Sequence, residues 1–481
     1  MKSFFDNNTA LNFVAGEWQG GDNNQSIAVE DPATGEVIAY CALASGKSLS
    51  QALLGARQSF ESGAIKDLKP VERAKLLTNI AVEIRKLVDE GGELLCKESG
   101  KTLSDAKAEF IEAADYFDYY GGLADKIEGK SIPLGPDYID YTVYEAYGIS
   151  AQIVPWNFPV SLAARSLAPA LAAGNSVIIK SPELDPLALA SLGLAIERAG
   201  VPKGVVSILN GVGADLGAKL VASKDIDQIV FTGSVPTGQA ILKSAANEVV
   251  PSLMELGGKS AGIVFKDADI EEVVDSVKWG IFFNAGQVCS AMSRLLVCKE
   301  RYDEVLERCI KLAENLTIGH GLENPDLTPI ISAQQLEEIE VKITQAKNEG
   351  ITVATGGTRI EGCGNFMAPT ILSNVPAKAR IAQEEIFGPV LCLIPFESSE
   401  EAIRIANDTE FGLVAGIFTK NLSLAHKTAS ALKAGQVFVN EWYAGGMATP
   451  FGGIGKSGFG REKGVEALYN YVRTKNIAIK L

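Results

Sequence analysis

Histidine is nearly absent from this 481-residue sequence, which contains only His320 and His426. Proteins that use a cysteine nucleophile commonly depend on an imidazole to form the thiolate and to move protons. Any cysteine chemistry in this chain must therefore find its base elsewhere, and a carboxylate is the most available group.

Paired cysteines, long apolar segments and excess positive charge are also missing. The seven cysteines form no Cys-x-x-Cys motif and no Cys/His cluster, which disfavours disulfides and a metal site. No apolar run is long enough to span a bilayer, and no secretory signal is recognisable. With 44 Lys and Arg against 59 Asp and Glu, the net charge of −15 argues against nucleic acid and anionic membranes as partners. We expect a reduced, cytoplasmic protein without a metal ion.

Strand and helix patterns alternate through the middle of the chain. Apolar, β-branched runs, each followed by a helical pattern, lie at 176–180, 205–209 and 229–231. This alternation predicts a parallel sheet covered by helices, which binds ligands at the carboxyl ends of its strands. A second series of strands, which predicts another α/β domain, lies at 262–265, 295–298, 390–394 and 436–439.

Three other segments have clear patterns. Apolar residues recur with a helical period over 70–98, which predicts one helix. The segments 133–147 and 476–481 alternate like half-exposed strands. Because exposed apolar edge strands promote aggregation unless they pair, we expect them to join subunits of a homodimer or homotetramer.

Cys289 and Glu255 are the candidate catalytic residues. Cys289 lies in Asn-Ala-Gly-Gln-Val-Cys-Ser at 284–290, where glycine and polar neighbours favour an exposed side chain over a buried one. Glu255 lies 289 − 255 = 34 residues upstream, in Glu-Leu-Gly-Gly-Lys-Ser. The two residues provide a soft nucleophile and a carboxylate base.

Two further motifs suit developing or bound negative charge. Pro-Trp-Asn-Phe-Pro at 155–159 holds Asn157 between two prolines, so that its NH₂ group can donate to an oxyanion. Gly-Ser-Val-Pro-Thr-Gly at 233–238 begins a helix at Ser234, and the free N–H groups of a first turn suit a phosphate.

A ribose site is indicated at the end of the strand at 176–180. Lys180 and Glu183 can bind two hydroxyl groups there, although a surface ion pair would have the same sequence. The glycine series at 211–217 departs from a dinucleotide fingerprint, because its third glycine is one place late and no acidic residue follows a clean strand.

Taken together, the motifs resemble the aldehyde dehydrogenase superfamily, in its semialdehyde and betaine-aldehyde branch, over nearly the whole chain. They are Pro-Trp-Asn-Phe-Pro, Phe-Thr-Gly-Ser, Glu-Leu-Gly-Gly-Lys, Gly-Gln-x-Cys, Glu-Glu-Ile-Phe-Gly-Pro and Pro-Phe-Gly-Gly, in the family's order. The resemblance implies an α/β fold with a Rossmann-like NAD-binding domain, an α/β catalytic domain and a small β oligomerisation element. Their expected ranges are 1–128 with 148–257, then 258–460, then 129–147 with 461–481.

The resemblance also implies a role for each matching residue. Cys289 would form a thiohemiacetal and then a thioester with an aldehyde, Glu255 would activate the hydrolytic water, and Asn157 would stabilise the oxyanion with the Cys289 backbone N–H. A carboxylate at Glu183 would repel a 2′-phosphate, so NAD is expected rather than NADP. The residues implied to bind the cofactor are Val154, Pro155, Trp156, Lys180, Glu183, Gly213, Phe231, Gly233, Ser234, Leu256, Glu385 and Phe387.

Two positions depart from the common family pattern and bear on the substrate. Ser166 stands where many members have Lys, so the relay between that Lys and the residue matched by Glu462 is in doubt. Arg165 resembles an Arg of succinate semialdehyde dehydrogenases, although their second Arg is Phe283 here. We expect a small semialdehyde or polar aldehyde with its tail near Arg165, unless Arg165 pairs with a local carboxylate. The surrounding residues are expected to be Phe158, Phe283, Trp442, Tyr443 and Phe451.

Two alternatives remain open. The negative chain and Glu-Trp-Tyr at 441–443 favour a dehydrogenase for amine-bearing or aromatic aldehydes. A non-catalytic NAD-binding structural protein is the other alternative, and the presence of both Cys289 and Glu255 argues against it.

Overall fold

An eight-stranded sheet organises the first half of the chain. The structure is a computed structural model that describes residues 4–21 and 25–481. Five central strands of the sheet are parallel, and antiparallel strands extend both edges. In spatial order the strands are Gly458–Phe459, Ser252–Leu256, Gln228–Gly233, Ile149–Ile153, Ser176–Ser181, Val206–Asn210, Asn12–Val14 and Glu17–Gln19.

Helices cover both faces of this sheet, because successive residues of each buried strand point to opposite faces. Val177 and Ile179 belong to one buried apolar cluster, and Ile178 belongs to another. The helices of this half are Gly46–Glu61, Pro70–Arg85, Val88–Ser99, Leu103–Leu123, Pro159–Ala173, Leu187–Arg198, Gly213–Gly217, Ala218–Val221 and Val235–Glu248.

The prediction of a single helix over 70–98 is wrong. The chain forms two helices, Pro70–Arg85 and Val88–Ser99, which are separated at Lys86 and Leu87. Both helices pack against the helix Leu103–Leu123. Leu87 at the break is buried in the same apolar cluster as Ile84 and Leu95, so both segments bury their apolar faces despite the interruption.

A seven-stranded sheet forms the core of the second half. All neighbouring strands are parallel except the first pair. In spatial order they are Thr352–Thr355, Thr370–Ser373, Val390–Phe396, Arg294–Cys298, Ala261–Val264, Val414–Phe418 and Gln436–Val439. The helices along this half of the chain are Ile270–Val277, Lys278–Phe282, Phe283–Gly286, Lys299–Arg301, Tyr302–Asn315, Gly321–Glu323, Ala333–Asn348, Arg380–Gln383, Ser399–Asn407, Leu422–Ala431 and Glu466–Tyr469. Of these, Gly321–Glu323 and Glu466–Tyr469 pack against helices of the first half. The two largely parallel sheets confirm the predicted α/β fold class.

Three small sheets complete the described structure. Val472–Lys480, Tyr138–Ala146 and Ser131–Ile132 form one of them, which brings the two predicted orphan strands together. The others are Phe5–Asp6, Thr9–Ala10, Val37–Ala42 and Ser26–Glu30, and the pair Phe411–Gly412 with Ile454–Gly455. Within residues 4–21 and 25–481, no helix is long and apolar enough to cross a membrane.

Candidate active site

The candidate site lies at the carboxyl ends of the parallel strands of the first sheet, where the two halves of the chain meet. A cavity of about 240 Å³ opens there. Its lining from the first half is Pro155, Trp156, Asn157, Thr232, Gly233, Ser234, Glu255, Leu256 and Gly257, and from the second half Cys289, Gln335, Glu338, Lys342, Glu385, Ile386 and Phe387. The structure thus brings the candidate nucleophile, base and oxyanion donor into one cavity with most of the predicted cofactor residues.

Cys289 is presented by a tight turn of the backbone. Three consecutive residues before it have positive φ angles, namely Asn284 (48°), Ala285 (53°) and Gly286 (72°). The left-handed conformation costs a non-glycine residue free energy and is often found at functional sites. Cys289 lies three residues after Gly286, is half-buried and lines the cavity.

The surroundings of Cys289 keep its thiol protonated. Burial raises the pKa of the Cys289 thiol to about 12, and Arg165 lowers this pKa while Glu255 raises it. The thiol therefore needs a nearby base to become a nucleophile near neutral pH.

Glu255 is a buried carboxyl group at the end of the strand Ser252–Leu256. Burial raises its pKa well above the usual range, Glu462 raises it further, and Arg165 lowers it. No described residue donates a hydrogen bond to either carboxylate oxygen. A Cβ atom at Gly452 would lie 2.6 Å from Glu255 Oε1, so the Pro-Phe-Gly-Gly motif leaves room for this carboxyl group.

Asn157 is held from both sides. Its Nδ2 donates to the Gln287 carbonyl oxygen at 3.0 Å, and its own carbonyl accepts from Asn284 Nδ2 at 3.3 Å. An amide nitrogen carries two hydrogens, so the second remains able to bind an oxyanion in the cavity.

Glu385 is packed against the two glycines of Glu-Leu-Gly-Gly-Lys. Its Oε1 accepts from the Gly258 N–H at 3.0 Å, and a Cβ at Gly257 would lie 2.1 Å from its Oε2. Burial raises the pKa of the Glu385 carboxyl to about 7, although the Gly258 N–H lowers it. Nearby, the Phe387 ring meets the Trp156 ring edge-on, with centroids 5.2 Å apart.

Lys180, Glu183 and Gly213 form a second polar cluster beside the cavity, at the ends of neighbouring strands. Lys180 Nζ forms an ion pair with Glu183, and Glu183 Oε1 accepts from the Gly213 N–H at 3.2 Å. Burial opposes ionisation of Glu183, but Lys180 and the Gly213 N–H outweigh it, so the pKa of this carboxyl is lowered. The glycine series at 211–217, which lacks the dinucleotide spacing, therefore still meets the predicted ribose residues through Gly213.

Ser234, another predicted cofactor residue, directly precedes the helix Val235–Glu248. Ser234 is its N-cap and accepts from the Thr237 N–H at 3.4 Å. Phe231 and Val154 are buried, and neither lines the cavity.

Arg165 is buried and paired with a carboxylate, which is the alternative that the sequence left open. Its guanidinium forms an ion pair with Glu462 and lies 5.2 Å from the centre of the Phe451 ring. Burial is the largest single effect and lowers the pKa of Arg165, but Glu462 together with Tyr116, Glu255 and Cys289 outweighs it, so the pKa is raised. Ser166, which stands where many family members have Lys, donates its hydroxyl to the Leu162 carbonyl at 2.8 Å. Its neighbour Arg165 forms the ion pair with Glu462 instead.

An aromatic cluster continues from the thiol loop towards the surface. Phe158 stacks on Phe283 with centroids 5.9 Å apart, and Phe283 contacts Tyr443 at 6.3 Å. Trp442 is buried, and its Nε1 donates to the Ser290 carbonyl at 3.2 Å, next to Cys289.

A cavity of about 360 Å³ adjoins this cluster. It is lined by Asp275, Ser276, Trp279, Phe283, Glu441, Trp442 and Tyr443. Asp275 and Glu441 are exposed at its rim, so the opening combines aromatic walls with negative charge.

Several residues of the site have no motif that would reveal them. Gln335, Glu338 and Lys342 line the cofactor cavity from the helix Ala333–Asn348, and Lys342 Nζ donates to the Glu385 carbonyl at 2.8 Å. Their sequence has the polar spacing of an ordinary surface helix. Within the described chain, no group of three or more His, Cys, Asp or Glu side chains is arranged to hold a metal ion.

Comparison with known proteins gives one consistent result. A sequence profile of the aldehyde dehydrogenase family matches residues 18–477. The betaine aldehyde dehydrogenase of Bacillus subtilis (strain 168) is 39% identical over 472 residues, which cover 97% of this chain and 96% of that protein. The NAD⁺ complex of aldehyde dehydrogenase from Bacillus cereus superposes with a TM-score of 0.96 at 37% identity, covering 98% and 96% of the two chains. Betaine aldehyde dehydrogenase from Staphylococcus aureus in complex with NAD⁺ has a TM-score of 0.95 at 36% identity, covering 98% and 95%.

Proposed function

The chain belongs to the aldehyde dehydrogenase family and is an enzyme that oxidises an aldehyde group, and we propose that it does so with NAD through Cys289 and Glu255. The observation that carries this proposal is the single cavity shared by Cys289, Glu255, Asn157 and the predicted cofactor residues. A non-catalytic role would not require a nucleophile and a buried carboxyl group to face the same space.

The residues of the cavity fit a dinucleotide cofactor. Ser234 and the first turn of its helix would hold the pyrophosphate, Lys180 with Glu183 the adenine ribose, and Glu385 the nicotinamide ribose, with Phe387 beside the ring. A side chain at Gly257 would collide with the Glu385 carboxyl group, so the glycine keeps room for a carboxylate that can accept from ribose hydroxyls. NAD bound there supplies the acceptor for the hydride of the oxidised carbon.

Acylation begins at Cys289. Its thiol gives a proton to water, the sulfur forms a bond to the aldehyde carbon, and the carbonyl electron pair moves to oxygen. Asn157 Nδ2 and the Cys289 backbone N–H donate to that oxyanion. When the oxyanion electrons return, the C–H bond breaks with its electron pair, and a thioester remains on Cys289.

Deacylation requires Glu255. Its carboxylate takes a proton from water, the water oxygen attacks the thioester carbon, and the C–S bond breaks to release the carboxylic acid. Because burial raises the pKa of Glu255 well above the usual range, this step should accelerate as pH rises and the carboxyl group ionises.

The test separates the two steps. We expect Cys289→Ala to abolish NADH formation, and Glu255→Gln to give one NADH per active site followed by a turnover reduced about 100-fold or more. Absorbance at the NADH band measures both, and Cys309→Ala, which removes a buried cysteine of the same domain, is the matched control. Normal steady-state turnover in Glu255→Gln would refute the base assignment.

We propose a small polar aldehyde, such as a semialdehyde, as the substrate. Arg165 supports an anionic tail, because it is a buried cation and its Nε has no hydrogen-bond partner among the described residues. Its pairing with Glu462 weakens this attraction. We therefore expect Arg165→Ala to reduce kcat/KM more for a carboxylate-bearing semialdehyde than for a neutral aldehyde. Equal losses of kcat/KM for both aldehydes would exclude a substrate whose anionic tail binds Arg165.

The rim of the aromatic cavity supports a second substrate class. Asp275 and Glu441 would attract an amine-bearing or quaternary ammonium aldehyde, and Trp279, Phe283 and Tyr443 would bind its cation. Asp275→Asn with Glu441→Gln should then raise KM for a cationic aldehyde and leave KM for benzaldehyde unchanged. A kinetic panel of anionic, cationic and neutral aldehydes with NAD and NADP decides between the two classes.

We also propose, in accordance with the sequence, the three domain ranges given above, a homodimer or homotetramer, and a cytoplasmic location. The isolated three-stranded sheet supports the assembly. Seven free cysteines support a reducing compartment.

A further inference from the structure

A buried ion pair lies directly behind the loop that carries Asn157. Lys101 follows the helix Val88–Ser99, and Glu109 lies on the helix Leu103–Leu123. Both side chains are only 2% exposed. A buried lysine and glutamate are rare unless they are paired and hydrogen-bonded, so the contacts of this pair indicate what it does.

Apart from their mutual ion pair, the side-chain hydrogen bonds of Lys101 and Glu109 go to the segment 157–161, which contains Asn157 and the start of the next helix. Lys101 Nζ donates to the Asn157 carbonyl at 3.0 Å and lies 4.5 Å from the centre of the Phe158 ring. Glu109 Oε1 accepts from the backbone N–H groups of Val160 at 2.8 Å and Ser161 at 3.1 Å. The cation thus binds a carbonyl and the anion binds two amides, on either side of Phe158.

The anion replaces a missing helix cap. The helix Pro159–Ala173 starts with proline, and its N-cap residue Phe158 makes no side-chain capping bond. The first free N–H groups are those of Val160 and Ser161, and Glu109 accepts from both. A carboxylate at a helix N-terminus is also favoured by the helix dipole.

We infer that Lys101 and Glu109 are positioning residues that hold Asn157 at the distance an oxyanion requires. This inference rests on the proposed role of Asn157 in the reaction. Lys101 and Glu109 do not line the cofactor cavity, so they act through the loop. Since a displacement of about 1 Å in a catalytic group can reduce a rate about 100-fold, a pair that fixes this loop affects turnover without touching substrate.

A double-mutant cycle tests the inference. We expect Lys101→Met to lower kcat about 10- to 100-fold while the Kd for NAD changes less than about twofold. In an Asn157→Ala background, Lys101→Met should add less than about twofold, because the group that it positions is gone. An unchanged kcat for Lys101→Met, or the same loss in both backgrounds, would overturn the inference.

Two further variants exclude a general loss of stability. Arg57→Met breaks the ion pair with Asp227 at the opposite end of the same sheet, and it should leave kcat unchanged. Lys101→Met with Glu109→Gln avoids an unpaired buried charge if the single variant does not fold, and it should still lower kcat because the donor to the Asn157 carbonyl is absent.

A crystal structure distinguishes failure of the positioning role of Lys101 and Glu109 from failure of the oxyanion role of Asn157. If Asn157→Ala alone leaves kcat intact, the oxyanion role fails, whereas the structure of the Lys101→Met and Glu109→Gln double variant still reports on the loop. We expect Asn157 to be displaced in it. An unmoved Asn157 in that structure would refute the positioning role.

Discussion

Burial controls the reactivity of individual thiols in this chain. Because burial raises the pKa of Cys289 to about 12, its thiolate fraction grows about tenfold per pH unit below that value. We expect iodoacetamide to alkylate Cys289 of the cofactor-free enzyme about ten times faster for each unit from about pH 7 to about pH 9. Peptide mass spectrometry measures the rate, and the exposed Cys363 reports reagent access in the same sample.

Arg165→Met provides the matched variant for this experiment. Arg165 lowers the pKa of Cys289, so its removal should slow alkylation at every pH in the range. A Cys289 rate that reaches a plateau below about pH 8 would contradict the raised pKa.

The choice of cofactor also depends on one residue. Glu183 is ionised beside Lys180, and its negative charge would repel a 2′-phosphate. Glu183→Ser should raise kcat/KM for NADP about tenfold and lower it for NAD, because Lys180 becomes free to bind the phosphate. Asp215→Ser removes an exposed carboxylate from the helix Gly213–Gly217, whose first N–H donates to Glu183, and is the control. A wild-type preference for NADP would refute the assignment.

Sequence motifs predict residues whose partners lie in the same motif, but not partners far along the chain. Glu255 with its glycines and Asn157 between its prolines were recognisable, and the structure places both at the cavity. Arg165 and Glu462 are 462 − 165 = 297 residues apart, so their ion pair required the fold. No sequence pattern indicates the buried position of Lys101, because a lysine that follows a helix is normally exposed.

Helix termini connect the elements of the first sheet to the cofactor cavity. Ser234 caps the helix Val235–Glu248, and Ser234→Ala should cost about 1 kcal/mol of stability. The same change should raise the Kd for NAD, because the first turn of this helix faces the cavity. Ser398→Ala removes the cap of the helix Ser399–Asn407, away from the cavity, and should match the loss in stability without changing the Kd. Thermal unfolding and NAD titration measure the two effects, and equal Kd changes in both variants would contradict the role of Ser234.

Elements were predictable where local pattern and tertiary packing agree. The strands at 176–180 and 229–231 lie within Ser176–Ser181 and Gln228–Gly233, because an apolar β-branched run is buried on both faces of a parallel sheet. The helical period over 70–98 continues through a break. Periodicity measures which face is apolar, and it does not report a break between two helices that share one buried face.

The assembly of the whole molecule depends on the sheet of Ser131–Ile132, Tyr138–Ala146 and Val472–Lys480. Val472–Lys480 is an edge strand of nine residues, and Ile139 and Ile479 are opposite each other in the register and are exposed at 49% and 43%. Such an edge favours pairing with another chain. The net charge of −15 opposes non-specific association, so any contact must be made at a specific apolar surface.

We therefore expect light scattering to give a mass of two or four chains, and Ile139→Lys with Ile479→Lys to reduce it. The two lysines would place like charges on both sides of the contact, where their desolvation is unfavourable. Val341→Lys is the control, because Val341 is equally exposed at 48% on the helix Ala333–Asn348. A wild-type mass of one chain would refute the assembly. An unchanged mass in the double variant would instead move the contact to another surface, since two charges cannot be buried in a close apolar interface without weakening it.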